Sequence, residues 1–173
     1  LMAGPSPEPL AHSRSSPPQQ PLRHRLLSHG ATDRADGVGH ALGGGRVAAV
    51  RAEVPAHIPF TAKMRLGIDD TNLAVACAQA LQAGGIDELI VHARTRVDGY
   101  RPPARWEWIA RIREAIAIPI IANGEVWTVD DYHACRAATA CADIMLGRGA
   151  VADPLLAQRI RGHELGGWPA VVP

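Results

Sequence analysis

The chain has 173 residues, enough as a first expectation for one domain, and a formal net charge of +1, which supplies no global field favouring nucleic acid or a membrane surface. No apolar run approaches the ~18 residues of a membrane span, and the Pro-rich start lacks the basic-then-apolar order of a signal peptide. The three cysteines, Cys77, Cys135 and Cys141, match neither zinc nor disulfide spacing, so a soluble, cytoplasmic chain is expected.

Composition divides the chain. Six of the fourteen prolines fall before Leu22, and the stretch continues in Ser, Gln, Arg, His and Gly. So little apolar surface cannot offset chain entropy, so residues 1–45 are expected to be a disordered segment. Arg14, Arg23, Arg25 and Arg34 make it mildly basic, which suits a solvated tail or an RNA-binding arm.

From Arg46 the pattern alternates. Val47, Val50 and Val54 at helical spacing predict a short helix over 46–54, stopped by Pro55. Phe60 to Leu66 reads as a strand closed by Gly67. Asp70, Thr71 and Asn72 offer an N-cap to an Ala-rich helix from about Leu73 to Ala83, ended by Gly84-Gly85. Leu89 to Ala93 is a second strand, followed by a polar loop from Arg94 to Arg105. Trp106 to Ile116 is amphipathic, with Trp108, Ile109, Ile112 and Ile116 apolar. Pro119 to Ala122 is a third strand, Thr128 caps a helix to about Ala140, and Asp143 to Leu146 is a fourth strand. A last helix is predicted over 154–161, with a loop-like tail over 163–173.

Strands thus recur every ~25 to 30 residues with a helix between each pair, the βα repeat of a parallel sheet. Ile58-Pro59-Phe60 and Ile118-Pro119-Ile120 echo one another at two strand starts. The fold class expected is α/β, an incomplete (β/α)8 TIM barrel of about four βα units over 46–162. A doubly wound open sheet is the alternative, but its Gly-rich turn is missing after the first strand.

Polar residues collect at the C-terminal end of every predicted strand, the active-site face of barrel enzymes. Lys63 and Arg65 share one face, opposite Met64 and Leu66, so the basic pair should line the lumen. Lys63 is also the single lysine among eighteen basic residues. A compact cation there can sit beside a ligand that gains negative charge, or it can pair structurally with Asp69 or Glu125. Asn123-Gly124-Glu125 and Gly147-Arg148-Gly149-Ala150 close the last two strands. Glycine admits backbone N–H groups to an anion and Arg148 can fork onto phosphate, although a plain tight turn also explains a Gly-x-Gly. In the loop from His92 to Arg101, Tyr100 can stack on a base while arginines meet phosphates; a solvated Asp98-Gly99 turn is the bland alternative. His92 suits either a ligand contact or a core histidine. The cysteines, in or beside helices, read as small core residues.

Lys63-Met64-Arg65-Leu66-Gly67, Val91-His92-Ala93-Arg94-Thr95, Gly99-Tyr100, Ile121-Ala122-Asn123-Gly124-Glu125 and Met145-Leu146-Gly147-Arg148-Gly149-Ala150 together resemble the tRNA-dihydrouridine synthases, most closely the bacterial C-type branch, over about residues 46–161. The resemblance implies an FMN-dependent barrel that reduces a uridine in tRNA, with NADPH re-reducing the flavin. By position it implies flavin contacts from Lys63 and His92, a ribityl-phosphate grip from Asn123, Gly124, Glu125, Gly147 and Arg148, and tRNA contacts from Arg94 and Tyr100. The family's first four strands are absent, with the cysteine that protonates the uracil ring, and so is its C-terminal RNA-binding domain. No cysteine here matches that acid. The chain is therefore expected to be an incomplete, inactive piece that self-associates through open sheet edges. A non-catalytic phosphate- or RNA-binding half-barrel is the second expectation, and another FMN-dependent barrel oxidoreductase the third.

Overall fold

The computed structural model describes residues 39–163. The disorder expected over residues 1–38 and the tail beyond His163 lie outside them. The described chain runs α1 (Gly39–Glu53), β1 (Thr61–Arg65), α2 (Ala74–Ala83), β2 (Glu88–His92), α3 (Trp106–Ala115), β3 (Ile120–Asn123), α4 (Val129–Thr139), β4 (Asp143–Met145), α5 (Arg148–Ala152) and α6 (Leu156–Ile160).

The strands pair in sequence order, β1-β2-β3-β4, and every pair is parallel. Parallel crossovers are right-handed almost without exception, so consecutive pairing places every crossover helix on the same side of the sheet. The helices accordingly form one layer, α1 against α2, α2 against α3, and α3 against α4. A doubly wound sheet would reverse its strand order and carry helices on both faces. This is a parallel sheet wound one way, with the architecture of a (β/α)8 barrel sector.

The pleat sorts the side chains. Met64, Val91, Ala122 and Ile144 stand in one register row, and the first three are buried beneath the helices with Leu66, Leu89, Ile109 and Ile112. Each fully buried Leu, Ile or Val stabilises the fold by about 1.5–3 kcal/mol. One residue along, Arg65, His92, Asn123 and Met145 form the next row and face the opposite way. That opposite face is the barrel's inner side.

Helix ends follow local chemistry in two cases and depart from it in three. Thr128 and Asp131 form a reciprocal capping box at the start of α4. Helix α3 stops at Ile116, whose extended backbone leads into Pro119. The N-cap expected of Asp70, Thr71 or Asn72 is not made: α2 begins after Leu73 without a side-chain cap, because Asp70 instead accepts from Asn72 N and Nδ2 at 2.9 and 2.8 Å. Helix α1 begins at Gly39 rather than Arg46, so the last seven residues of the segment expected to be disordered are helical. Tertiary packing accounts for this: a Cβ on Gly84 would lie 2.6 Å from the Val47 side chain and 3.0 Å from the Gly44 carbonyl. The closeness of α1 and α2 depends on small residues that a composition reading scores as helix breakers. Finally, the last predicted helix is α6, and a short helix not expected from sequence, α5, forms where the Gly147 to Ala150 turn was read.

Candidate functional site

The C-terminal ends of the four strands bring together Lys63, Arg65, His92, Asn123 and, from the loop beyond β4, Arg148. Asn123 ties three strands. Its Oδ1 accepts from Lys63 Nζ at 2.8 Å, and its Nδ2 donates to the Met145 carbonyl at 2.9 Å. Lys63 therefore pairs with neither Asp69 nor Glu125, the structural partners weighed for it from sequence. Burial, then the charge of Arg65, pulls the Lys63 amine below its ordinary pKa.

His92 is 8% exposed and sits among cations. Burial first, then the charges of Arg65, Lys63, Arg94 and Arg148, pushes its pKa from 6.5 down to about 4. The ring is neutral at ordinary pH. Arg94 has only hydrogens to give, so the 3.4 Å contact with its Nη1 makes His92 Nε2 the acceptor. A Cβ at Gly124 would come 3.3 Å from His92 Cδ2, and Gly124 has φ +126, so glycine is required there to let the β3 end lie against the imidazole.

Arg94 does not point outward. It is 1% exposed, the largest fully buried side chain in the described structure. Its guanidinium is ion-paired with Glu125, and its Nε donates to the Arg101 carbonyl at 2.7 Å. Arg94, expected from the resemblance to contact tRNA, is drawn inward here by the carboxylate of the next βα unit. Glu125, correspondingly, is engaged by Arg94 and by Trp127 Nε1 at 3.2 Å, and itself holds a left-handed backbone, φ 62. Gly124 and Glu125 lie against neighbouring side chains, His92 and Arg94.

The loop after β2 is built, not merely solvated. Thr95 N donates to Asp98 Oδ2 at 2.8 Å, Arg105 pairs with Asp98 at 2.8 Å, and Arg65 donates to the carbonyls of Thr95 and Gly99 at 2.9 and 3.0 Å. These contacts present Tyr100, 61% exposed, at the rim. Arg65 lies 5.4 Å and Arg148 4.9 Å from the centre of its ring.

Gly147 meets only Asn123 Nδ2, at 3.9 Å from an added Cβ, and so borders an open space. Gly149 is different: its Cβ would fall 2.2 Å from the Val126 carbonyl oxygen. One glycine of the pair leaves room, and the other lets the loops after β3 and β4 pack backbone on backbone. Arg148, between them, reaches over Trp127 at 4.8 Å. Sequence reasoning passed over Trp127; its signal was a tryptophan two residues past a strand-end glycine-glutamate pair.

The three cysteines pack with the helix-side core, away from this face. Burial, with Cys141 adding to it, pushes the Cys135 thiol up to about 12, and burial also raises Cys77 and Cys141.

What converges here is a group of cations, Lys63, Arg65 and Arg148, around a neutral histidine, while Glu125 is engaged by Arg94. Residues 44–166 match the family model described as dihydrouridine synthase (Dus). The chain belongs to the dihydrouridine synthase family. Among curated relatives named tRNA-dihydrouridine(16) synthase, that of Ralstonia nicotianae is 60% identical over 131 residues, covering 73% of this chain and 40% of the relative. That of Cupriavidus necator is 61% identical over 131 residues, covering 73% and 41%, and that of Pseudomonas syringae pv. tomato 55% over 120 residues, covering 69% and 38%. The chain spans about two fifths of the length of these dihydrouridine synthases. Among the described residues no helix is long and apolar enough to cross a membrane.

Proposed function

We propose that this chain forms the phosphate-gripping and RNA-facing part of a cytoplasmic, flavin-dependent tRNA-dihydrouridine synthase. The observation that carries this is the cationic cluster of Lys63, Arg65 and Arg148 around neutral His92 at the strand ends. Such like charges repel until an anion joins them, and the phosphate of FMN is an anion of suitable size and charge. FMN, when bound, supplies the reducing equivalents for uridine, and NADPH restores them.

The chain's own residues divide the work. Arg148 and the space beside Gly147 meet the phosphate. Lys63, held by Asn123, offers a positive charge toward the flavin ring, and His92 gives it a neutral wall. Gly124 and Glu125 act through His92 and Arg94. Tyr100, with Arg65 and Arg148 packed over it, presents the rim to tRNA, where an exposed ring can stack on a base. With every cysteine on the helix side, no cysteine among the described residues can protonate a uracil at this face. Binding without turnover is therefore the expectation for this chain alone.

Fluorescence titration of FMN into the full chain tests the placement. Arg148→Ala removes a charge-assisted phosphate contact of about 1.5–3 kcal/mol, roughly ten- to a hundredfold in affinity. Lys63→Ala should weaken oxidised FMN less, because the ring it faces is neutral. Loss of binding in Lys63→Ala with Arg148→Ala intact would overturn the phosphate placement.

A further inference from the structure

Arg148 is an exposed, long side chain on a short helix, and nothing about its own backbone fixes where the guanidinium goes. Two rings do. The guanidinium carbon lies 4.8 Å from the centre of the Trp127 ring and 4.9 Å from that of Tyr100, and Nη2 donates to the Tyr100 carbonyl at 3.4 Å. Cations are attracted to the negative faces of aromatic rings, tryptophan most strongly.

Trp127 is itself held at several points. Its backbone N–H donates to Asp131 Oδ2 at 3.0 Å, the carboxylate that also closes the capping box of α4. Its indole Nε1 donates to Glu125 Oε1 at 3.2 Å, and Glu125 is anchored by buried Arg94. A Cβ on Gly149 would stand 3.0 Å from Trp127 Cα, so the residue after Arg148 backs directly onto it. An anchored ring and an exposed cation meet where the loops after β2, β3 and β4 converge.

From this convergence we infer that Trp127 is a positioning residue: it holds the Arg148 guanidinium in place before any anion arrives. It also joins that cation to the Tyr100 loop, so that the anion end and the exposed aromatic rim share one ordered element. Ordering the cation in advance removes the conformational cost that an unrestrained arginine would bear at binding. The inference rests on the proposal that Arg148 faces the flavin phosphate, and its test separates the two.

The experiment uses the full chain with Trp127→Phe, which keeps a weaker ring face, and Trp127→Leu, which keeps bulk without one. The first readout needs no ligand: the NMR signal of the Arg148 Nε–H group, assigned by its disappearance in Arg148→Ala. In the parent chain this signal should be shifted by ring currents and ordered on the nanosecond timescale. Trp127→Leu should move it part of the way toward the position of a free arginine, the Tyr100 ring still acting on it, and Trp127→Phe should move it less. An unchanged signal in Trp127→Leu overturns the inference. The second readout compares FMN with riboflavin, which has the same ring and no phosphate. Trp127→Leu should lower FMN affinity about tenfold, leave riboflavin unchanged, and add nothing further in an Arg148→Ala background. Equal loss for both ligands would overturn the positioning role. If the parent chain does not prefer FMN to riboflavin, the phosphate assignment of the site falls, and the Arg148 signal alone decides for or against Trp127.

Discussion

Arg94→Met tests whether the buried ion pair holds the site together. Methionine keeps the stem of the side chain and removes the head. The change leaves the Glu125 carboxylate without its cation and the Arg101 carbonyl without the 2.7 Å donor from Nε. Breaking a buried pair by removing one partner costs about 3–5 kcal/mol. Glu125 keeps 26% of its side chain exposed, and water reaching it moves the expected cost to the lower end of that range. The stranded carbonyl adds about 1 kcal/mol. The total, about 4 kcal/mol, is a large part of the 5–15 kcal/mol that holds a domain together. Glu125→Gln keeps an acceptor beside the guanidinium and should cost about half as much. In Arg94→Met/Glu125→Gln neither charge is stranded, so the double variant should fall short of the sum of the singles by about 2 kcal/mol. Urea denaturation of the full chain, followed by far-ultraviolet circular dichroism, measures all four corners of this cycle. A cost below about 1 kcal/mol for Arg94→Met, or strict additivity in the double variant, would refute the claim that this pair is buried and coupled.

His92 should titrate at about 4 when its ring protons are followed by NMR, and Arg148→Ala should raise that value by removing one of its cations. Because the unfolded chain takes up this proton near 6.5 and the folded chain does not, stability is full above 6.5. It declines as pH falls toward about 4, by about 3 kcal/mol from this group, and levels below it. Gly149→Ala should cost more than about 2 kcal/mol in the same urea experiment, since its Cβ would lie 2.2 Å from a carbonyl oxygen. Gly45→Ala, with nothing near its added Cβ on helix α1, should stabilise by about 0.5–1 kcal/mol. With β1 and β4 as open edges of the described sheet, the chain should self-associate, and light scattering that shows one compact monomer would refute this.

The βα rhythm was legible because apolar residues, strand-ending glycines and prolines are local signals. The inward basic pair Lys63 and Arg65 was legible because side chains alternate along a strand. Pairings across the chain were not. Lys63 meets Asn123 sixty residues away, and Arg94 meets Glu125 across a whole βα unit; either arginine or lysine could have claimed either partner by composition. The loop from Arg94 to Arg101 mixes basic side chains with one aromatic, yet Arg94 among those cations is buried while Tyr100 is exposed. Nothing local separates those fates, because the deciding carboxylate belongs to another strand end. Helix α1 was underestimated for a similar reason: its glycines weaken an isolated helix and admit a neighbouring one. Helix α5 is too short to show any period.

The amide of Asn123 serves two masters of opposite polarity, a lysine that must find a lone pair and a carbonyl that must find a hydrogen. Only a side chain that is acceptor at one tip and donor at the other can answer both. Aspartate would face the Met145 carbonyl with no hydrogen to give, and serine has one short arm where two are needed. The amide cannot flip without breaking both bonds, so its orientation is set by the fold. One lone pair on Oδ1 and one hydrogen on Nδ2 remain, already aimed, and an incoming molecule meets a side chain that has no turning left to do.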